Sequence, residues 1–385
     1  MRVLIAFDKF KDALGALPAC AVAAEALRAH HPDAQLDLCP LADGGEGFAE
    51  ILTRRAGGEL REASVTGPRG ATITARFGLV PLSKLPARAG ALLGLAGAGE
   101  GKVAVIEMAA ASGLALLSAE QRDPWHTTSR GTGELIRAAA AEGVAAIILG
   151  VGGSATHDVG LGALTVLGLD CFSAAGAVIE SPVPTTWAAV AKMGGKIQPG
   201  LPPILIACDV TNPLMGTFGA ASVFAAQKGL KAEDFTRLEY MTGRMAALLC
   251  AQAGNPSTLW EAKGAGAAGG LAFGLMCATR AKLVPGFELV AAWLELDRRI
   301  AETDYVLTGE GSFDASSLSG KGPAGVAQRA LTAGKKVHVF AGAASAQLVG
   351  AGVHVINPAG ETLPMALANT AANLRAAVGT VFPRA

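Results

Sequence analysis

The sequence has no excess of charge. Thirty-two basic side chains face 32 acidic ones, so the formal net charge is zero. That removes the electrostatic case for a nucleic-acid partner or an anionic membrane surface. Long apolar runs are missing too. No window of ~18 residues is free of glycine or charge, so no membrane-spanning helix is expected. The N-terminal Met1-Arg2-Val3-Leu4-Ile5-Ala6-Phe7-Asp8 turns acidic after a short apolar run, which reads as a strand and not a signal peptide. A cytoplasmic chain is expected. The six cysteines (Cys20, Cys39, Cys171, Cys208, Cys250, Cys277) show no C-x-x-C spacing and lie in apolar surroundings. Buried free thiols are expected there, ahead of zinc ligands or a disulfide framework.

What is present is a chain of 385 residues, 51% hydrophobic and 17% charged, the composition of a folded globular protein. It is long for one core, so two domains are expected. The 50 glycines cluster at strand-to-helix junctions without a repeat, which suits turns and ligand loops. A short apolar strand over 2–7, a helix over 17–29 and a strand over 35–39 form one β-α-β unit. A second such region has a strand over 304–308, a helix over 322–333, strands over 336–341 and 353–356, and a last helix over 364–378. Between them, residues 61–107 hold short Val-, Ile- and Thr-rich segments that read as antiparallel strands. A helix over 131–142, strands over 144–149 and 204–208, and helices over 232–252 and 266–279 follow. The pattern predicts an α/β protein of two domains. A doubly wound domain built from both chain ends (1–70 and 285–385) accepts an inserted mixed α/β domain (71–284), with a ligand cleft expected between domains.

Six clusters carry the chemistry. Asp8-Lys9-Phe10-Lys11 ends the first strand, where open α/β sheets bind ligands. Asp43-Gly44-Gly45-Glu46-Gly47 follows the second strand and opens a helix; three glycines around two carboxylates exceed what an Asp cap needs. Gly150-Val151-Gly152-Gly153-Ser154-Ala155-Thr156-His157-Asp158 follows an apolar strand, and its small residues suit a backbone nest for phosphate or carboxylate. Asp209 ends another strand, and Asn212-Pro213 turns the chain away. Gly264-Ala265-Gly266-Ala267-Ala268-Gly269-Gly270 contains G-x-G-x-x-G, but no clear strand precedes it and no acidic strand end follows about 20 residues on, so a dinucleotide site is disfavoured. A helix start facing phosphate or a packing site suits those glycines better. Finally, an apolar strand is expected to stop at Gly309-Glu310-Gly311, followed by Asp314 and by Gly320-Lys321 at a helix start. Glycines, two carboxylates and a lysine there suit a Mg·nucleotide. No P-loop is present: Ala315 stands where its first glycine would, and Gly322 follows the lysine.

Taken in order, these clusters resemble the bacterial glycerate kinase family of the glycerate 2-kinase type, nearly end to end. Gln227-Lys228-Gly229 belongs to the same resemblance. The family has hydroxyl residues where Ala13 and Gly15 stand, Asn at His157, Gly or Ala at Val159 and a basic residue at Ser312. The resemblance implies ATP-dependent phosphorylation of D-glycerate with Mg²⁺, on one flavodoxin-like and one restriction-enzyme-like domain, with 2-phosphoglycerate favoured over 3-phosphoglycerate. A homodimer is compatible with it. On this reading Lys9, Lys11 and Lys321 meet phosphates or the substrate carboxylate. Metal binding falls to some of Asp43, Glu46, Glu310 and Asp314, with Glu310 and Asp314 favoured. Asp209, rigidly presented by its strand, is the catalytic base. Substrate or ATP contacts fall to Asp8, Lys9, Asp43, Gly44, Gly45, Glu46, Gly152, Gly153, Ser154, Asp158, Asn212, Gly264 and Gly266. The competing expectations are a dinucleotide-dependent oxidoreductase using the 264–269 glycines and a non-catalytic hydroxy-acid sensor.

Overall fold

The computed structural model describes residues 1–97, 99–315, 317–319 and 322–384. Gly320 and Lys321, both expected at a phosphate site, lie outside the described residues. The protein is mixed α/β and divides into two compact units: Met1–Asp43 with Phe287–Ala385, and Gly44–Gly286. Residues 44–70, expected with the chain ends, fall in the second unit. The reason is hydrogen bonding: strand Glu59–Thr66 pairs antiparallel with Thr72–Pro81 over its whole length.

The first unit holds a five-stranded parallel sheet. Its order is Gln35–Leu38, Arg2–Phe7, Tyr305–Phe313, Lys336–Ala344, Ala351–Val355. Numbered within the unit, that is 2-1-3-4-5, the flavodoxin-like order. Arg2–Phe7 is buried from Val3 onward, as a central strand covered on both faces must be. Helix Ala16–His30 is built from alanine, the best helix former, and buries Ala19, Cys20, Ala23, Ala24 and Leu27 as one stripe. It packs on helix Leu363–Val381, and both share a core with Val3, Ile5 and Phe7. Helix Gly322–Thr332 packs against Tyr305–Phe313 and Lys336–Ala344. The order reverses between Arg2–Phe7 and Tyr305–Phe313, the point at which such sheets bind ligands beyond their carboxyl ends.

The second unit contains a six-stranded mixed sheet, ordered Lys282–Val284, Ile204–Ala207, Ala146–Gly150, Lys102–Glu107, Thr72–Pro81, Glu59–Thr66. The first four strands are parallel. Their register puts Glu107, Gly150, Ala207 and Val284 in one row. The 150–158 loop and the 208–213 loop therefore leave the sheet from the same edge. A core including Phe77, Ile106, Leu149, Ile206, Leu249 and Phe273 supports that edge. All six cysteines are free thiols, and five are buried. Among the described residues no helix is long and apolar enough to cross a membrane.

Candidate active site

In the first unit, the strand pairing sets Phe7 beside Gly309, so Asp8 and Glu310 emerge together at the topological switch point. Tyr305–Phe313 does not stop at Gly309 as expected. It runs through Gly309-Glu310-Gly311, and Gly309 serves the sheet: a Cβ there would lie 1.8 Å from the Phe340 carbonyl oxygen. Glycine is a packing requirement here and not a phosphate cradle. Asp43 arrives from the other side of Arg2–Phe7, after Leu41 N–H donates to the Phe7 carbonyl at 2.8 Å.

Three carboxylates and a lysine thus share the end of one sheet. Asp8 is 7% exposed. Its Oδ1 accepts from the Lys9 backbone N–H at 2.7 Å. Burial, and next the Asp43 charge, push its pKa up to about 7, while Lys9 pulls the other way. Lys9 Nζ donates to Asp43 Oδ1 at 3.1 Å. Glu310 is also held above the ordinary carboxylate range, by burial first and then by Asp314 and Asp43, with a Ser317 hydrogen bond opposing. Its Oε1 is buried and accepts no hydrogen bond among the described residues. The 312–317 turn is tied by Ser317, whose Oγ accepts from the Asp314 N–H at 3.2 Å. Among the described residues, no three His, Cys, Asp or Glu side chains already form a metal cage. The donor chemistry nevertheless fits a hard divalent cation: a bare buried carboxylate oxygen, and acids that raise one another's pKa, are what such an ion relieves. Glu310 and Asp314 would hold it. Lys11 is exposed just past Phe10.

In the second unit, the 44–46 and 150–154 segments stack on each other. Gly152 N–H donates to the Gly44 carbonyl at 3.0 Å. A Cβ at Gly152 would lie 2.7 Å from Gly45 N, and one at Gly153 would lie 2.5 Å from Glu46 Oε1. This corrects part of the expected nest: the Gly152 N–H is committed inside the protein and cannot serve a ligand. The start of helix Phe48–Arg55 is committed too, because Ala49 N–H donates to Glu107 Oε2 at 2.9 Å. Gly153 (φ +69°) and Ser154 remain at the turn.

Asp158 requires a larger correction. It is fully buried. Oδ2 accepts from Ser129 N at 2.7 Å, Ser129 Oγ at 2.7 Å and Gly162 N at 3.2 Å, and Oδ1 accepts from Gly160 N at 3.1 Å. Burial raises its pKa and these donors oppose the rise. A carboxylate so enclosed fastens the loop and does not touch substrate. Val159 beside it is strained, a β-branched residue at φ +56°. That is the position where the resembled family has Gly or Ala. His157 is buried and neutral, with burial dropping its pKa to about 3 and Nε2 sharing a hydrogen bond with Thr242 Oγ1 at 3.0 Å.

Asp209 follows strand Ile204–Ala207 and is half-buried. Its carboxylate lies against Gly286, where a Cβ would come within 2.9 Å of Oδ2. Asn212 shapes the same loop, its Nδ2 donating to the Phe218 carbonyl at 2.8 Å. Gly264 and Gly266, expected as ligand residues, are both required by packing. A Cβ at Gly266 would lie 2.3 Å from the Pro213 carbonyl oxygen, and Gly264 (φ +83°) abuts Leu283 and the Val210 carbonyl. The segment is preceded by a 3₁₀ turn at Ser257–Glu261, and helix Leu271–Ala278 begins only after it. A dinucleotide fingerprint needs a strand before its glycines, so that reading has no structural support.

One residue, noted in the sequence only as part of Gln227-Lys228-Gly229, had no expected role at the site. Lys228 is 2% exposed, and its Nζ donates to Ser154 Oγ and to the Thr156 carbonyl, each at 2.7 Å. The Gln227-Lys228-Gly229 block was the available signal, but nothing local says that the lysine reaches residue 154.

The profile of the glycerate kinase family matches residues 3–384. The chain belongs to the glycerate kinase family. It is 38% identical over 348 residues to the glycerate kinase of Haemophilus influenzae, covering 89% of this chain and 86% of that one. It is likewise 38% identical over 355 residues to the glycerate 2-kinase of Escherichia coli K12, covering 89% and 85%. A crystal structure assigned provisionally to glycerate kinase 2 of Salmonella typhimurium LT2 is 37% identical, with a TM-score of 0.74 over 99% of this chain and 97% of that one. As a member of the glycerate kinase family the chain is a phosphotransferase. The family match spans every candidate residue from Asp8 to Lys321. That membership favours an enzyme over the non-catalytic sensor.

Proposed function

We propose that the protein transfers the terminal phosphoryl group of ATP to the 2-hydroxyl of D-glycerate, with Mg²⁺. The observation that carries this reading is the group of Asp8, Lys9, Asp43 and Glu310 at the switch point of a flavodoxin-like sheet, in a chain of this family. The name of the Escherichia coli relative, glycerate 2-kinase, supports the 2-hydroxyl.

Phosphoryl transfer asks a protein mainly for positioning and charge neutralisation. Bound Mg²⁺ would supply neutralisation of the triphosphate, held by Glu310 and Asp314. Lys9 and Lys11 would add positive charge toward phosphate or the glycerate carboxylate, as would Lys321. Asp209 would accept the proton of the attacking hydroxyl, its strand giving it the rigid support a base needs. Ser154 and the Gly153 backbone would donate to an anionic oxygen. Asp158 and the glycines at 264 and 266 would hold these loops without touching the reactants. The test is ADP release, coupled to a fluorescent readout, with D-glycerate, L-glycerate or neither. ADP release that depends on D-glycerate and stops in excess EDTA supports the reading. ADP release indifferent to D-glycerate would overturn it.

A further inference from the structure

We infer that Lys228 is a positioning cation for an oxyanion held at the Gly153–Ser154 turn, and that binding there is tied to the charge on Lys228. The inference rests on the reading above for the identity of that oxyanion, the carboxylate of the hydroxy acid or a phosphoryl oxygen of the nucleotide.

At 2% exposure the ammonium cannot meet a ligand itself. It acts through Ser154. Because Ser154 Oγ accepts from Nζ at 2.7 Å, its own proton is available to another acceptor, and the charge-assisted bond makes that hydroxyl a stronger donor. The second bond, to the Thr156 carbonyl at 2.7 Å, fixes the chain just beyond. Among the described residues no acceptor takes the N–H of Gly153 or Ser154. With Gly153 left-handed, these two N–H groups and the Ser154 hydroxyl form a small anion-binding concavity above a buried positive charge.

That charge has no close counter-ion. The charged and titratable groups acting on it are Asp158 and His157 from the 155–159 segment, and the Glu46 carboxylate lies beside Gly153 at the turn itself. Asp158 gives its oxygens to Ser129, Gly160 and Gly162, and Lys228 makes no ion pair among the described residues. His157 is neutral. A buried ammonium without an opposite charge paired to it is unfavourable, and burial accordingly lowers the Lys228 pKa to about 7, with Asp158 opposing. An oxyanion at the turn supplies the missing charge. Lys228 protonation and oxyanion binding therefore favour each other, and by linkage the protein takes up protons on binding above about pH 7.

The experiment is titration calorimetry on the full-length protein between pH 7 and 9, in buffers of differing ionisation enthalpy. The probes, used separately, are D-glycerate, Mg·AMP-PNP and sulfate. At least one is expected to bind with proton uptake and with a Kd that weakens, approaching about tenfold per pH unit. Uptake with D-glycerate assigns the turn to the carboxylate; uptake with the nucleotide alone assigns it to phosphate. Lys228→Met is expected to abolish the uptake and flatten the pH profile, and Lys228→Arg to keep the affinity at pH 9. If Lys228→Met fails to fold, proton uptake by the native protein decides the matter alone. Sulfate binding with proton uptake, but no turnover of D-glycerate, would uphold the inference and overturn the functional reading. Turnover of D-glycerate with no uptake for any probe would do the reverse.

Discussion

Removing the Asp158 carboxylate tests whether this residue is a structural clamp. Its two oxygens take four donors, three of them backbone N–H groups: Ser129, Gly160 and Gly162. In Asp158→Ala the Ser129 hydroxyl can turn, since it also accepts from Ala163 N–H at 3.0 Å. The three backbone groups cannot turn. A buried donor left unsatisfied costs roughly 1–3 kcal/mol, so the alanine variant should lose about 4 kcal/mol or more. Asp158→Asn can keep its oxygen at the Oδ2 position, with three donors, while its amide faces the Gly160 N–H. That loses one bond and opposes two donors, roughly 1–3 kcal/mol. The assay is urea unfolding followed by tryptophan fluorescence in a Trp293→Phe background. The three remaining tryptophans, Trp125, Trp187 and Trp260, all report on the 44–286 unit. The expected order of stability is native, then asparagine, then alanine. An alanine variant within about 1 kcal/mol of native would refute the clamp, because three orphaned buried donors cannot be that cheap.

Three further predictions concern the reaction and its pH dependence. Asp209→Asn keeps the shape of the side chain and removes the proton acceptor, so kcat should fall roughly 10²–10⁴-fold while ATP affinity, read by calorimetry, barely changes. Glu310→Gln should raise the Mg²⁺ concentration needed for half-maximal rate by about tenfold or more, because it removes a charged oxygen ligand; an unchanged Mg²⁺ requirement would exclude Glu310 as a ligand. Asp8 has a folded pKa of about 7, above its ordinary 3.8, so the native state holds this proton more tightly than the unfolded chain. The Asp8 contribution to stability is therefore lost as pH rises from about 4 to 7, and Asp8→Asn should be more stable than native at pH 8, by roughly 2–4 kcal/mol, with no advantage at pH 4. Equal stability of the two at pH 8 would mean that Asp8 is not a strained buried acid.

Periodicity made the parallel strands legible, since Arg2–Phe7, Ala146–Gly150 and Ile204–Ala207 are apolar runs that only a covered sheet explains. Residues at or near the start of the loops after those strands, Asp8, Gly152 and Asp209, were found for the same reason. What sequence could not show is how each polar group is spent. Asp158 and Asp209 both look like loop acids beyond a strand's carboxyl end, but one is enclosed by four donors and the other is half-exposed. Glycines at 152, 264, 266 and 309 look like phosphate loops, yet each is required by atoms of another segment packed against it, backbone at 152, 266 and 309 and the Leu283 side chain at 264. Lys228 reaches Ser154 across 74 positions, a contact that no local pattern encodes.

Phosphorus NMR of the reaction of D-glycerate with Mg·ATP tests the central claim most directly. The account predicts loss of the ATP γ-phosphate signal and growth of a single phosphomonoester, split by the proton on C2 as in 2-phosphoglycerate. A phosphomonoester coupled to the two C3 protons, the signature of 3-phosphoglycerate, or release of inorganic phosphate alone, would contradict it.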